Sequence, residues 1–218
     1  MITTADFPLL QQQLYTAVLC DAMDQLGYRN QSPRIAFQAF TGITHMMGRC
    51  KTTLWADMYH EDTHPYELEL QAVDGCKPGE VLICEAGGSQ RSGIWGELLS
   101  TAALNSGCVG ALVHGAIRDV VRMTEMGFPV FATGKCVYDS LHRQRVIDID
   151  VPVFIDGVVF APGDLVFSDE DGIVVVPAAI EDQVVQNALS KAKAENLTRK
   201  EIKNGMKATE AYQKYGIL

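Results

Sequence analysis

"GGSQRSGIWGELLSTAALNSGCVGALVHGAIRDVVRMTEMGFPVFATG", residues 87–134, decides the fold. It opens as a glycine-rich loop and enters a helix over 96–106 that Gly107 stops. The apolar "CVGALVHG" (108–115) is a buried strand. "AIRDVVRMTEMG" (116–127) is a loop running into a short helix ended by Gly127, and "FPVFATG" (128–134) is the next strand. Upstream, "KPGEVLICEAGG" (77–88) supplies a turn and a buried strand over 80–86. Strand, helix, strand, helix, strand with short connections predicts parallel strands joined by right-handed crossovers. In such units ligands collect where strands end and helices begin.

Outward from this unit, residues 8–27 carry one helical stripe at Leu10, Leu14, Val18, Ala22 and Leu26, with Gly27 as the stop. "GRCKTTLW", from Gly48, reads as a strand, and 65–75 as a helix closed by Gly75. After Asp148 the texture becomes strand-rich. Asp156-Gly157 is a hairpin signal, and "PGD" (162–164) and "DEDG" (169–172) mark further turns, so this half is expected to be antiparallel. A helix over 179–194 follows, striped by Ile180, Val184, Ala188 and Ala192, and "ATEAYQKYGIL" forms a last short helix ended near Gly216. There is no linker, repeat or low-complexity tract. The expectation is one mixed α/β domain over 1–218, with a parallel half and a β-rich antiparallel half.

Apolar residues make up 47% and charged residues 21%, a globular composition. No apolar run is long enough to cross a bilayer, and "MITTADFPLLQQQ" lacks the basic start and apolar stretch of a signal peptide. Both point to the cytoplasm. The six cysteines (20, 50, 76, 84, 108 and 136) form no C-x-x-C pair and read as small buried hydrophobes in a reducing compartment. A net charge of −9 repels a phosphate backbone and no basic run offsets it, so nucleic acid is excluded as a partner. A small anionic substrate would need a local cation, from an arginine, a metal or a helix N-terminus.

Four features meet at the expected strand ends. The helix beginning "GELL" exposes the N–H groups of Leu98 and Leu99, and Gly93 and Gly96 allow close approach. Glu97 lies in its first turn. Arg118 offers a planar fork for a carboxylate or enolate oxygen. Asp119 is a hard oxygen ligand suited to Mg²⁺ or Mn²⁺. Twenty residues separate Glu97 from Arg118: one helix, one strand and one loop, so the two can face each other. Singly, each residue reads as structural, Glu97 as a dipole partner, Asp119 as a helix cap, Arg118 as half of an ion pair. Together they read as a site for one small anion. Elsewhere, Arg91 in "EAGGSQRSG" is either an exposed loop arginine or a partner for a second substrate carboxylate. His60 and His64 are four apart, but Pro65 breaks any helix there, so "DMYHEDTHPYE" (57–67) reads as a solvated loop.

The stretch "WGELLSTAALNSGCVGALVHGAIRDVVRMTEMGFPVFATG" resembles the family of RraA-like proteins and 4-hydroxy-4-methyl-2-oxoglutarate (HMG/CHA) aldolases. Its pattern is an acidic residue, twenty residues, then Arg-Asp; here Glu97, Arg118 and Asp119. "VLCDAMDQLG", "GRCKT", "KPGEVLICE", "FIDGVVFAPGDLVFSDEDGIVVVP" and "KYGIL" support it. The resemblance implies a β/β/α sandwich of the swivelling-domain type, a homotrimer or homohexamer with sites between subunits, and a class II pyruvate aldolase using Mg²⁺ or Mn²⁺. It implies that Asp119 binds the metal directly and Glu97 through water. Arg118 would hold the pyruvate portion and the enolate oxygen, and the Leu98 and Leu99 N–H groups, after Gly96, its carboxylate. Glu195 would approach from a neighbouring subunit. It also implies oxaloacetate decarboxylation through the same enolate. Two positions depart from the pattern. Glu97 stands where the aldolases often have Asp, and His114 where many members have Asp or Asn, as a ligand neighbour or a strand-end core residue. Two further readings attach to the family: a non-catalytic regulator that binds ribonuclease E, and a methyltransferase. Retention of Asp119 argues against the first, and the lack of a strand followed by a Gly-x-Gly nucleotide loop against the second.

Overall fold

The computed structural model describes residues 2–217. The chain runs α1 (Phe7–Gln13), α2 (Thr16–Gln25), β1 (Gln38–Ala39), β2 (Met46–Asp57), α3 (Glu67–Asp74), β3 (Glu80–Glu85), β4 (Gly93–Trp95) and α4 (Glu97–Asn105). It continues β5 (Gly110–Ile117), α5 (Val120–Met126), β6 (Val130–Lys135), β7 (Gln144–Ile149), β8 (Val153–Ile155), β9 (Val158–Phe160), β10 (Leu165–Asp169), β11 (Gly172–Val176), α6 (Glu181–Lys203) and α7 (Ala208–Tyr215).

The main sheet has the order β1-β6-β5-β3-β2-β10-β11, with β4 also on β5 and β7 also on β2. The expected parallel strands β3, β5 and β6 lie side by side through Val81↔Gly110 and Ala111↔Val130, and β2 extends the block, parallel to β3 through Arg49↔Glu80. β10 and β11 pair antiparallel to each other and β10 to β2, which is the expected antiparallel half. The twelve-residue β2 changes partner along its length. Its start pairs with β10, and its end pairs with β7 past an irregularity at Leu54/Trp55.

Side-chain alternation along these strands builds the layers. Leu82, Cys84, Ala111 and Val113 face α3, α4 and α5 in one apolar cluster. Leu165, Phe167, Val174 and Val176 face α1, α2 and α6 in a second. The opposite-facing residues, Val81, Ile83, Leu112, Val166, Ile173 and Val175, converge on the β8–β9 hairpin in a third. Helices therefore coat the outside of a curled mixed sheet whose inner face packs β against β. Val81, Ile83, Leu112 and Val113 are wholly buried, each contributing about 1.5–3 kcal/mol. Asp156 (φ 50°) and Gly157 (φ 77°) make the expected two-residue turn between Ile155 and Val158.

Several boundaries differ from the sequence reading. The helix expected over 8–27 is two helices, because Leu14 and Tyr15 are extended. Asp169, at the end of β10, accepts hydrogen bonds from Thr16 N–H and Oγ, both at 2.7 Å, and so starts α2 afresh from 153 residues away. α6 continues to Lys203 rather than ending near 194, with Thr198 buried beyond the expected stripe. β4, expected as loop, is a strand because it completes the edge above β5. Residues 58–66 form the expected loop. All six cysteines are free; four are buried and Cys20 and Cys136 half-buried. No helix among the described residues is long and apolar enough to cross a membrane.

Candidate active site

The site is built where β5 runs out. Arg118 N–H donates to Trp95 O (2.9 Å), Cys136 N–H to Ile117 O (3.0 Å) and Gly93 N–H to Tyr138 O (2.8 Å). The ends of β4 and β5 and the segment after β6 are thereby laced side by side. Asp119 then takes a left-handed conformation (φ 57°, ψ 31°), which an aspartate tolerates better than most residues, at the N-cap position of α5 but with no side-chain cap bond to it. That turn aims its carboxylate at the start of α4, where Glu97 N–H donates to Asp119 Oδ2 at 3.3 Å. The approach is close enough that a Cβ on Gly96 would lie 2.6 Å from Asp119 Oδ2, and one on Gly93 3.0 Å from Arg118 Cβ. Both glycines are therefore required by the protein's own packing at the site.

A cleft of about 290 Å³ opens here, lined by Gly93–Gly96, Leu98, Leu99, Arg118, Asp119, Asp139, Ser140 and, across it, Tyr66, Glu69 and Leu70 of the α3 turn. The first N–H groups of a helix have no intrahelical partner. In α4 the first is taken by Asp119, and those of Leu98 and Leu99 follow at the cleft wall.

Arg118 Nη2 lies 2.8 Å from Asp139 Oδ2, and its Nε 3.8 Å from Asp119 Oδ2. Asp139 Oδ1 accepts from Tyr66 Oη and Leu141 N–H, each at 2.8 Å. Burial opposes ionisation of Asp139, but the Leu141 N–H, the Tyr66 hydroxyl and Arg118 outweigh it and hold the carboxyl below its ordinary range. Tyr66 is pushed up to about 12 by burial and by its bond to Asp139. Glu69 is pushed up to about 8, chiefly by burial and then by the charge of Asp139, with Arg118 acting against both. It is 8% exposed, and among the described residues no donor reaches its carboxyl.

The structure thus brings Gly96, Leu98, Leu99, Arg118 and Asp119 into one cleft. The Glu97 main chain is there too, but its carboxylate accepts from Thr101 Oγ1 (3.0 Å) on its own helix. Glu195, on α6, bonds Tyr15 of the same chain, with Lys191 and Arg199 nearby; it lines a different cleft with Tyr15 and Asp21. His114 is paired to Glu85 (Nδ1 to Oε2, 2.6 Å), its parallel-strand neighbour, so it serves the strand end. The Arg91 guanidinium sits 4.1 Å from the centre of the Tyr59 ring.

Tyr66, Glu69 and Asp139 were not singled out in the sequence. Asp139-Ser140 follows a core strand as Arg118-Asp119 does, and that position was the available signal. Glu69 shares the inward helical face of Ala72 and Val73, where a carboxylate is out of place.

No group of three or more His, Cys, Asp and Glu side chains among the described residues is arranged to hold a metal. Of the carboxylates that line the cleft, Asp119 is the most exposed, at 43%. That suits Mg²⁺ or Mn²⁺ held by a single carboxylate, water and a ligand's own oxygens, since Mg²⁺ retains several waters. The donor set fits such an ion and does not fit an all-protein cage.

The family model described as "RraA-like: Aldolase/RraA" matches residues 16–175. A protein from Aromatoleum aromaticum named "Putative 4-hydroxy-4-methyl-2-oxoglutarate aldolase" is 33% identical over 168 residues, covering 77% of this chain and 99% of that one. Protein DlpA of Legionella pneumophila is 27% identical over 94% of this chain, which spans only 33% of DlpA's length. The crystal structure of Streptomyces coelicolor RraAS2, described as an unusual member of the RNase ES inhibitor RraA protein family, superposes with a TM-score of 0.75 at 31% identity. The match covers 85% of this chain and 91% of RraAS2. With the curled mixed sheet and the Arg118–Asp119 cleft on its edge, these matches establish that the chain belongs to the RraA-like family.

Proposed function

We propose that this cleft is the active site of a divalent-metal-dependent lyase, a class II pyruvate aldolase acting on 4-hydroxy-2-oxo acids. The aldolase names of its relatives support a lyase, and the donor set supports a 2-oxo acid as substrate. The Leu98 and Leu99 N–H groups at the positive end of α4 hold the substrate carboxylate. The Arg118 fork, steadied by Asp139, donates to the 2-oxo oxygen and stabilises the charge that gathers there as the carbon–carbon bond breaks. Asp119 would hold the Mg²⁺ or Mn²⁺ ion, and the Glu97 carboxylate would reach it through water only on leaving Thr101. When bound, the ion acts as a Lewis acid toward the 2-oxo group. Loss of CO₂ from oxaloacetate leaves the same pyruvate enolate, so one site serves both reactions. The reading carries with it a cytoplasmic homo-oligomer, trimer or hexamer, with no nucleic-acid or membrane partner.

The single observation that carries this reading is the convergence of Arg118, Asp119 and the α4 N-terminus on one cleft. The test is pyruvate release from 4-hydroxy-4-methyl-2-oxoglutarate and from oxaloacetate, with Mg²⁺, with Mn²⁺ and with chelator. Metal-dependent release that falls about 100-fold or more in Asp119→Ala and Arg118→Ala is expected. No metal-dependent release from either substrate overturns it. The likeness to Streptomyces RraAS2, a member of a ribonuclease-inhibitor family, favours a second reading, a ribonuclease regulator. That reading requires ribonuclease E binding that Asp119→Ala leaves intact.

A further inference from the structure

We propose that Glu69 is a further catalytic residue of this cleft, the acid that delivers a proton to the methylene carbon of the pyruvate enolate. The proposal rests on the 2-oxo acid reading above and assigns the proton transfer that completes it. Glu69 lines the cleft across from Arg118 and Asp119, on the first turn of α3. Its side chain is buried, yet no protein donor among the described residues satisfies it, so its hydrogen-bonding capacity is left for whatever enters. The other two acids at the wall are differently placed. Asp139 is bound by Arg118, Tyr66 and Leu141, and Asp119 faces the α4 N-terminus.

The electrostatics agree with the geometry. The charged and titratable groups that face Glu69 are Asp139 and Arg118, the Tyr66 hydroxyl and the Cys84 thiol of β3. The elements packed on α3, namely β2, β7 and α4, share an apolar cluster with it through Trp55, Val146 and Ala103. In these surroundings the carboxyl keeps its proton at neutral pH, with half-ionisation near 8. A neutral acid does not repel an incoming dianion, and it carries the proton that the enolate needs.

The step balances. In oxaloacetate decarboxylation the C3–C4 bond breaks, CO₂ leaves, and the electron pair becomes the C2–C3 double bond of the enolate. C3 then takes the Glu69 proton, the C2 carbonyl re-forms, and the resulting carboxylate regains a proton from water. Aldol cleavage leaves the same enolate and ends on the same transfer.

The experiment follows exchange of pyruvate methyl hydrogens with deuterium oxide by proton NMR, alongside oxaloacetate decarboxylation. It uses the full chain with Mg²⁺, as wild type, Glu69→Gln and Glu69→Asp. Glutamine keeps size and neutrality but cannot deliver the proton. Glu69→Gln is expected to slow methyl exchange by about 100-fold or more while the KM for oxaloacetate stays within about threefold. Glu69→Asp should retain part of the exchange. In the wild type, methyl exchange should rise as the pH rises through about 8, because taking a proton from pyruvate is the reverse of the delivery step and requires the carboxylate form. Equal exchange in wild type and Glu69→Gln, or a raised KM with unchanged kcat, overturns the role of Glu69 while leaving the lyase reading standing. A wild type that neither exchanges pyruvate nor releases it overturns both. Should Glu69→Gln fail to fold, a wild-type exchange rate flat from pH 7 to 9 overturns the proposal.

Discussion

The Arg118 guanidinium is held 2.8 Å from the Asp139 carboxylate, which is itself pinned by Tyr66 and the Leu141 amide. Three segments distant in sequence thus set the direction of one cation. Both partners are 35% exposed, so the pair contributes only about 0–1 kcal/mol to stability. Its effect is positional: it leaves the other guanidinium nitrogens to serve a ligand.

Asp139→Asn should therefore leave thermal unfolding nearly unchanged and lower kcat/KM for 2-oxo acids about tenfold, as Arg118 loses its anchor. The same substitution removes a charge that raises the Glu69 pKa, so the alkaline fall in activity should move to lower pH. A pH–rate profile of the variant checks both.

Gly96→Ala tests the closeness of Asp119. Gly96 is extended (φ −159°), so alanine meets no backbone strain. Its Cβ would lie 2.6 Å from Asp119 Oδ2 and 3.2 Å from Arg118 Cγ, and the carboxylate must move. Because displacements of about 1 Å can cost about 100-fold in rate, kcat/KM should fall about 10- to 100-fold with little change in Tm. Steady-state kinetics alongside thermal melts separate the two effects.

Asp169→Ala should act in the opposite way. It leaves the Thr16 N–H and Oγ without their buried acceptor and removes the start of α2. A loss of about 2 kcal/mol is expected from urea unfolding, with specific activity per folded molecule retained, since Asp169 does not line the cleft.

Glu69 also sets a pH dependence of stability. Its carboxyl ionises near 4.5 in an unfolded chain and near 8 in the folded one. Between these values the folded state binds the extra proton, so stability present below about pH 4.5 is lost progressively as the pH rises to about 8. Glu69→Gln should remove this slope and melt above the wild type at pH 8–9, in thermal scans across that range.

Local patterning was sufficient for the parallel unit. The apolar runs of β3, β5 and β6, the glycines closing α4 and α5, and Arg118-Asp119 at a strand end are legible because each rests on residues adjacent in the chain. The Asp156-Gly157 turn is legible for the same reason. Tertiary structure alone decided the rest. Asp169 splits an otherwise continuous helical stripe from 153 residues away. Asp139 reaches Arg118 only because β4, β5 and the segment after β6 are hydrogen-bonded at their ends. Glu69 stands on the inward stripe of α3 with Ala72 and Val73, but its loss of solvent and its neighbours Asp139 and Arg118 come only when α3 is laid against the sheet. Periodicity reports which face of an element turns inward. The charge state and partners of a side chain depend on what packing brings beside it, and the order of residues does not carry that.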